Sequence, residues 1–534
     1  MSLADRGSRV DPGFLSGILV VGLLFVLPFL VLVLDVSTLF LYLGVGVVFL
    51  VYAVACVYTG YVTAGACVAL VTLSTFHTRT SLLDGYGPAD WSIGPYVYPF
   101  HVPLVALAAI YVANRIAAEL EGVQLPGSLR IRPGDRRRVT SVELLLSGFV
   151  LWTTTPVLFG SVFRPDIAVY FSVLVVQGLV VFALVRRAVQ DGIVEFDSIL
   201  TSLLVTVFGH VVFALFQVAN GGMFGLTRLG EPPRGLSVDP GIAVLNLGIV
   251  TVPTGDITAS LTGSAFVLDS LIILLFPYLL YRIVDSEGPR RVLSLLVAAL
   301  LLATLRISAS DAARGAILLT GVVFVAAFAF SNWNATVRKY YRKLDAAAGL
   351  AFAAIVAYPS SASGATSEYT PEAPPNASGN RSFGPESAPI PVRDPISVPL
   401  FDLSNLGTRF EQYQIALTEI YYSPLVGLGG GNFRFAAQRY GLKSLPIHNQ
   451  YLMLAAETGI PGLLLYTLAV GAVLFASLRR FLASRRLEIG AAIAGLLGVL
   501  SFGFWDHVTI DLVTSFVPFW ILCGALFGEV SPSG

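Results

Sequence analysis

Residues 14–34 read FLSGILVVGLLFVLPFLVLVL, an uncharged apolar run as long as a lipid bilayer is thick when it is wound into a helix. A surface helix of a soluble domain keeps a polar face, which this segment lacks. The run is also longer than the apolar part of a cleaved signal peptide. The segment therefore predicts a helix that stays in a membrane.

Similar runs recur along the whole chain and give about fourteen candidate spans. Three of them are short, so we expect 12–14 transmembrane helices in an all-α polytopic membrane protein. The candidates are 14–34, 38–58, 61–76, 99–119, 140–160, 167–185, 198–218, 262–281, 291–306, 315–331, 344–358, 462–478, 488–505 and 511–528.

The composition agrees with a membrane protein and excludes other classes. Of 534 residues, 55% are hydrophobic and 12% charged, and the net charge is zero. Such a chain is neither a soluble enzyme, nor a disordered protein, nor a nucleic-acid binder. Cys56, Cys67 and Cys523 all fall in apolar runs, so the sequence predicts no disulfide framework and no metal centre.

Basic residues are concentrated in every second connection between spans, which predicts the orientation. About 20 of the 33 lie at the N-terminus or in the short connections on the same side, at 130–138, 186–187, 282–291, 338–343 and 479–486. Short cytoplasmic loops of plasma-membrane proteins carry such an excess. We therefore expect a cytoplasmic N-terminus.

Three parts follow from this order. Residues 1–358 form an N-terminal bundle of about 11 spans, 359–460 a large extracytoplasmic loop, and 461–534 the C-terminal spans. Within the loop, 359–399 is rich in Ser, Gly, Pro and Ala and is predicted to be disordered. Residues 403–460 are expected to be the ordered, catalytic part, with short amphipathic helices.

The ordered part begins with TRFEQYQIALTEIYY at 408–422, whose apolar residues recur at helical spacing. Glu411, Gln414, Thr418 and Glu419 are predicted to form its polar face. Arg409 lies at the edge of the apolar face. It is either a cation extending towards the membrane surface or a ligand for an anionic substrate.

A glycine-rich stretch, SPLVGLGGGNF at 423–433, follows. It is either a tight turn or a place where backbone N–H groups approach a phosphate, but it lacks the Lys-Ser/Thr ending of a P-loop. On the second interpretation Gly429, Gly431 and the following Arg434 bind substrate.

The segment SLPIHNQYLMLAAETGIPG at 444–462 predicts a short helix that stops at Gly459, with His448 in its first turn. A helix N-terminus disfavours imidazolium, so a neutral His448 there suits a general base beside a phosphate-bearing substrate. The alternative is a hydrogen-bonded structural histidine.

Two arginines lie at a predicted outer turn, in TLRISASDAARGAIL at 304–318. Arginine at a membrane boundary is costly, which favours a functional interpretation of Arg306 and Arg314. Two guanidinium groups would suit a diphosphate. Asp311 is the structural alternative, because its carboxylate could neutralise one of them.

These motifs together resemble the superfamily of O-antigen ligases and O-antigen polymerases. The resemblance rests on RGAIL at 314–318, GTR ending at Arg409, PLVGLGGGNF at 424–433, and His448, Asn449, Gly459 and Gly462 at the spacing of the family's loop motif. It covers roughly residues 300–480. The chain departs from the family pattern in having about fourteen spans rather than about twelve, and in its 359–399 insert.

The resemblance implies a GT-C-like glycosyltransferase that moves a glycan en bloc. The donor would be linked to a polyprenyl diphosphate (undecaprenyl or dolichyl), and the acceptor would be a hydroxyl of a glycolipid, a glycan or a protein, on the outer face of the cell membrane. It implies no metal, no nucleotide and no other cofactor. His448, Arg314 and Arg409 would be catalytic, and Arg306 and Asn449 would bind substrate.

Two alternatives remain open. A polymerase of lipid-linked oligosaccharide repeats would use the same chemistry. A lipid-linked glycan flippase or transporter would instead place its charges near the middle of the bilayer, often in repeated halves. The charges here gather at one boundary, which favours an enzyme.

Overall fold

The computed structural model describes most of the chain, with gaps. The described residues are 12–29, 38–78, 80–81, 96–120, 129, 140–160, 162–220, 224–226, 229–231, 243–246, 251–254, 260–308, 310–331, 408–440, 446–507 and 513–530. The predicted span at 344–358 and the predicted disordered segment at 359–399 lie outside them.

The protein is an all-α polytopic membrane protein, as predicted. Nine of the described helices are long and apolar enough to cross a membrane, and four shorter apolar helices accompany them. The first eight helices are α1 (Pro12–Val21, continued by a π-helical turn at Gly22–Val26), α2 (Thr38–Thr59), α3 (Val62–Leu73), α4 (His101–Glu119), α5 (Ser141–Phe159), α6 (Pro165–Gln190), α7 (Phe196–Ala219) and α8 (Ala265–Asp285).

The remaining helices include the two that precede the C-terminal spans. They are α9 (Gly288–Ile307), α10 (Asp311–Ser331), α11 (Thr408–Tyr422), α12 (Phe433–Arg439), α13 (Gln450–Ser484), α14 (Leu487–Phe502) and α15 (Val513–Val530). Two short antiparallel hairpins pair β1 (Thr80–Ser81) with β2 (Tyr96–Val97) and β3 (Ala243–Asn246) with β4 (Thr251–Thr254).

Helices α8 and α15 form the centre of the bundle and are the most buried of the long helices. Glycines let neighbouring helices approach them closely. A Cβ at Gly495 of α14 would lie 2.1 Å from the carbonyl oxygen of Leu274 in α8. One at Gly524 of α15 would lie 2.6 Å from that of Phe182 in α6. Small residues at such crossings are how membrane helices gain packing energy without a hydrophobic driving force.

One end of the bundle, here called the basic end, is formed by the connections 191–195, 286–287 and 485–486. Ion pairs hold it together. Arg186 meets Glu143 at 3.1 Å with both side chains buried, and Arg282 meets Asp197 at 3.3 Å. Arg486 pairs with Glu488 and with Glu529. These arginines belong to connections that the sequence assigns to the cytoplasmic side.

The opposite end, here called the histidine end, contains the segments 260–264, 446–449 and 503–507 together with Ser308 at the end of α9. All five histidines of the chain lie there. His77 donates its backbone N–H to Leu261 at 2.9 Å, and the buried His210 ring contacts Thr75 and Ser260. The imidazoles therefore lie towards the end of the bundle opposite the paired arginines of the basic end.

Candidate active site

Helix α13 begins at an asparagine cap, and this cap sets the position of His448. The side-chain oxygen of Asn449 accepts the backbone N–H groups of Tyr451 and Leu452, both at 3.0 Å. The sequence predicts His448 in the first turn of this helix, but the residue lies just before the helix begins. The prediction was wrong because Asn449, and not Ser444 or Pro446, supplies the capping oxygen.

The backbone of His448 is fixed by helix α11. Tyr413 donates its hydroxyl to the His448 carbonyl at 2.9 Å, and the His448 N–H points to the Gln412 side-chain oxygen at 3.4 Å. Gln412 is buried. Because these contacts use main-chain atoms of His448, they orient its imidazole without occupying it.

The turn that follows α14 brings two further titratable groups to His448. The Gln450 N–H donates to the carbonyls of Gly503 and Asp506, at 2.9 and 3.2 Å. The Asn449 amide donates to the Phe504 carbonyl at 3.1 Å. This short ladder fastens the start of α13 to the 503–507 turn.

Asp506 lies between two imidazoles. Its Oδ1 is 3.0 Å from Nδ1 of His507 and 3.9 Å from Nδ1 of His448, and the two rings are 5.6 Å apart. Burial raises the pKa of Asp506, but the hydrogen bond with His507 and the electrostatic interactions with both histidines lower it more, so the net pKa lies below the usual value. Asp506 is therefore a buried carboxylate.

Burial lowers the pKa of His448 to about 4. The Asp506 carboxylate opposes this shift, and the electrostatic interactions with His507 and Arg409 add to it. His448 is thus neutral at neutral pH and able to accept a proton. The sequence argument expected a lowered pKa from the helix N-terminus, whereas burial is the larger cause here.

Of the arginines predicted to bind substrate, Arg409 acts directly on His448, whereas Arg314 is connected to Asp506 through Asp269. Arg409, near the start of α11, acts electrostatically on both His448 and Tyr413. Arg314 stands in the first turn of α10 and, like Asp506, acts on the buried carboxyl of Asp269 in α8. The fold thus gathers Arg314, Asp269 and Asp506 from three separate helix ends.

Two predicted participants are only partly visible. The backbone of Arg306 forms the last turn of α9, next to the turn that leads to α10, but its side chain lies outside the described part of the chain. The same holds for the side chain of Asp311, the alternative partner of the arginines. Arg434 is buried in α12, 8% exposed.

The backbone of the glycine-rich stretch binds the side chain of Glu457. Glu457, 3% exposed, accepts the N–H of Gly431 at 2.8 Å and that of Phe433 at 3.1 Å. The Gly429 N–H donates to the Glu457 carbonyl at 2.8 Å. The expectation that Gly429 and Gly431 bind a substrate phosphate is therefore corrected, because both amides are used within the fold; the tight-turn interpretation describes the stretch.

Gly459 interrupts α13 with a kink at the position where the sequence predicts a helix stop, because its φ and ψ are non-helical. The position has no room for a side chain. Its φ is +71°, and a Cβ would lie 2.1 Å from the Leu425 carbonyl oxygen. We expect Gly459→Ala to lower the free energy of unfolding by about 3 kcal/mol or more, from left-handed strain plus backbone displacement. The measurement is the thermal midpoint of the purified protein in detergent.

Gly471 provides the matched control on the same helix. A Cβ there meets nothing within 4 Å. Gly471→Ala should leave the midpoint unchanged or raise it slightly, because alanine is the better helix former. Equal midpoints for the Gly459 and Gly471 variants would contradict the steric argument.

Helix α11 has the predicted bounds, but a different face is buried. Glu419, assigned to the polar face, is 5% exposed and accepts the Tyr440 hydroxyl at 3.1 Å. Thr418 is buried as well, while Tyr421 is 69% exposed. Helical periodicity predicted the position of the helix. It could not show that a polar partner, Tyr440, lies on the buried side.

Sequence reasoning missed Asp506, His507 and Asp269. A signal existed for the first two, since Asp506 and His507 begin the short connection at 506–510 between the last two predicted spans. Asp269 stands inside a predicted span, where an ionisable residue is a functional candidate by default.

The comparisons with known proteins bear on this part of the chain. The family model described as O-antigen ligase matches residues 279–467. Residues 279–467 of this chain are similar to the O-antigen ligase family. The O-antigen ligase match contains Arg314, Arg409 and His448, and it ends before Asp506 and His507. No curated protein matches the chain. The protein is therefore a multi-pass membrane protein that contains an O-antigen ligase-like region.

Proposed function

We propose that the protein is a glycosyltransferase that moves a preassembled glycan from a polyprenyl diphosphate to an acceptor hydroxyl. The O-antigen ligase match supports the reaction class, and the spanning helices suit a lipid-borne donor. One observation carries the proposal: within the matched region, the half-buried, neutral imidazole of His448 stands beside Asp506 and within electrostatic reach of Arg409.

His448 is the general base. Its Nδ1 faces Asp506, which leaves Nε2 to take the proton of the acceptor hydroxyl. The acceptor oxygen forms a bond to the anomeric carbon, and the bond from that carbon to the phosphate oxygen breaks. The electron pair leaves with the polyprenyl diphosphate. Asp506 is a positioning residue that stabilises the imidazolium formed on His448.

Arginines bind the leaving diphosphate. Arg409 and Arg314, together with Arg306 at the end of α9, supply guanidinium forks that match phosphate oxygens and remain charged throughout. Their positive charge offsets the negative charge that develops as the carbon–oxygen bond breaks. Asn449 contributes as the cap that sets the His448 backbone, not as a substrate ligand.

The reaction takes place at the outer face of the plasma membrane, with the N-terminus in the cytoplasm. Support comes from the separation of the two ends of the bundle. The paired arginines of the basic end belong to the connections rich in Arg, which stay inside, and the site occupies the opposite end.

The direct test uses purified protein in detergent with a polyprenyl diphosphate-linked oligosaccharide and a glycolipid acceptor. We expect a covalent glycan–acceptor product and release of the free polyprenyl diphosphate, without added metal or nucleotide. A single joining event identifies a ligase, and a ladder of repeats identifies a polymerase. Movement of the glycolipid across vesicles with no covalent product would replace this proposal by a transporter.

A further inference from the structure

Three potential metal-ligating atoms converge at the histidine end. One potential ligand atom from each of His448, Asp506 and His507 lies within 4.8 Å of the other two. They come from two segments, 446–449 and 503–507, which the backbone bonds of Gln450 fasten together. The three side chains are therefore held in place by the fold and not by one another alone.

The spacing of these atoms suits a divalent transition cation. Zn²⁺ binds imidazole nitrogen and carboxylate oxygen at about 2.0–2.2 Å, so two ligands of one tetrahedral ion lie about 3.3 Å apart. The measured separations from Asp506 Oδ1, 3.0 Å to His507 and 3.9 Å to His448, bracket that value.

An ordinary ion pair accounts for only part of the arrangement. Asp506 and His507 are already paired, yet the Nδ1 atom of His448 also turns towards the same oxygen, buried and without a hydrogen bond. Two imidazoles facing one carboxylate form a donor set of two nitrogens and one oxygen, typical of zinc and related ions that keep an open position.

We propose that His448, Asp506 and His507 form a binding site for a divalent transition cation of the Zn²⁺ class, and that its occupation inhibits transfer. A cation on Nδ1 of His448 requires the proton of the neutral ring to sit on Nε2, where it blocks the base. This inhibitory role rests on the proposed function, whereas the binding site itself does not.

Binding is measured first, without reference to activity. The full chain, purified with a tag free of histidine and stripped with EDTA, is titrated with Co²⁺ and then with Zn²⁺. We expect one Co²⁺ per chain with the visible absorption of a tetrahedral ion, displaced by Zn²⁺. His507→Gln should weaken binding by more than the about 10- to 100-fold that loss of an outer-sphere partner costs.

His101→Gln is the matched control, because His101 lies at the same end but outside the cluster. It should bind one Co²⁺ as the unaltered protein does. Absence of stoichiometric binding, or equal binding by the unaltered protein and His507→Gln, would overturn the site. Thermal midpoints show whether each variant is folded.

Inhibition is measured second, as loss of glycan transfer on adding Zn²⁺ and its recovery with EDTA. Stoichiometric binding without inhibition would overturn the inhibitory role. Stoichiometric binding in a protein that transfers no glycan under any condition would leave the site standing and remove the proposed function. Glycan transfer by a protein that binds no stoichiometric Co²⁺ would overturn the metal site and leave the proposed function standing.

Discussion

Replacement of His448 by alanine is expected to reduce glycan transfer by about 10²- to 10⁴-fold, the contribution of a positioned general base. The variant should still insert and fold, because Tyr413 and Gln412 bind the backbone of His448 and not its ring. The measurement is the initial rate of covalent transfer with saturating lipid-linked donor, alongside the thermal midpoint in detergent.

His101→Ala is the comparison that separates chemistry from a general loss of histidine. Its ring lies among aromatic side chains at the start of α4, away from the O-antigen ligase match. We expect it to transfer at nearly the rate of the unaltered protein. A folded His448→Ala variant with an unchanged rate would end the assignment of His448 as the base.

Arg314→Lys should lower kcat/KM by about 10- to 100-fold, although the positive charge is kept. Lysine is a point charge and cannot form the two parallel hydrogen bonds that a guanidinium gives to a phosphate. Arg314→Ala should cost more, about 10²- to 10³-fold, because the charge opposite the leaving diphosphate is lost as well. Both are measured as kcat/KM for the lipid-linked donor, with binding of the polyprenyl diphosphate product as a second readout.

Arg290→Lys is the matched substitution at the basic end. Arg290 is exposed in the first turn of α9 and keeps its charge as lysine, so neither topology nor transfer should change. Equal product affinity in Arg314→Lys and the unaltered protein would argue against a bidentate contact at Arg314. Comparable losses in the Arg290 and Arg314 variants would point to a general effect on the bundle.

The spans were predictable because each is a local property. A run of about 20 apolar residues must form a helix in lipid wherever it lies in the chain, so 198–218 and 262–281 correspond closely to α7 and α8. The helix at 408–422 and the break of α13 at Gly459 were predictable for the same reason. Helical periodicity and a glycine that favours positive φ are also local signals.

Contacts between distant segments were not predictable in this way. The glycine-rich stretch was interpreted as a possible phosphate-binding loop, because nothing in 423–433 shows that its backbone N–H groups donate to Glu457 instead. The buried face of α11 was misjudged for the same reason, since Tyr440 is the group that makes a buried Glu419 acceptable.

The sequence by itself determined a multi-span helical membrane protein and, through Arg314, Arg409 and His448, the residues around which a site was to be sought. Only the tertiary structure decided which partners meet them, because 58 positions separate His448 from Asp506, its partner at 3.9 Å. Apolar runs and helical periodicity predict which segments form helices in lipid, because the free energy of helix formation there depends on the local sequence. Desolvation and charge at His448 depend on which helix ends pack together, and that is fixed only when the bundle closes.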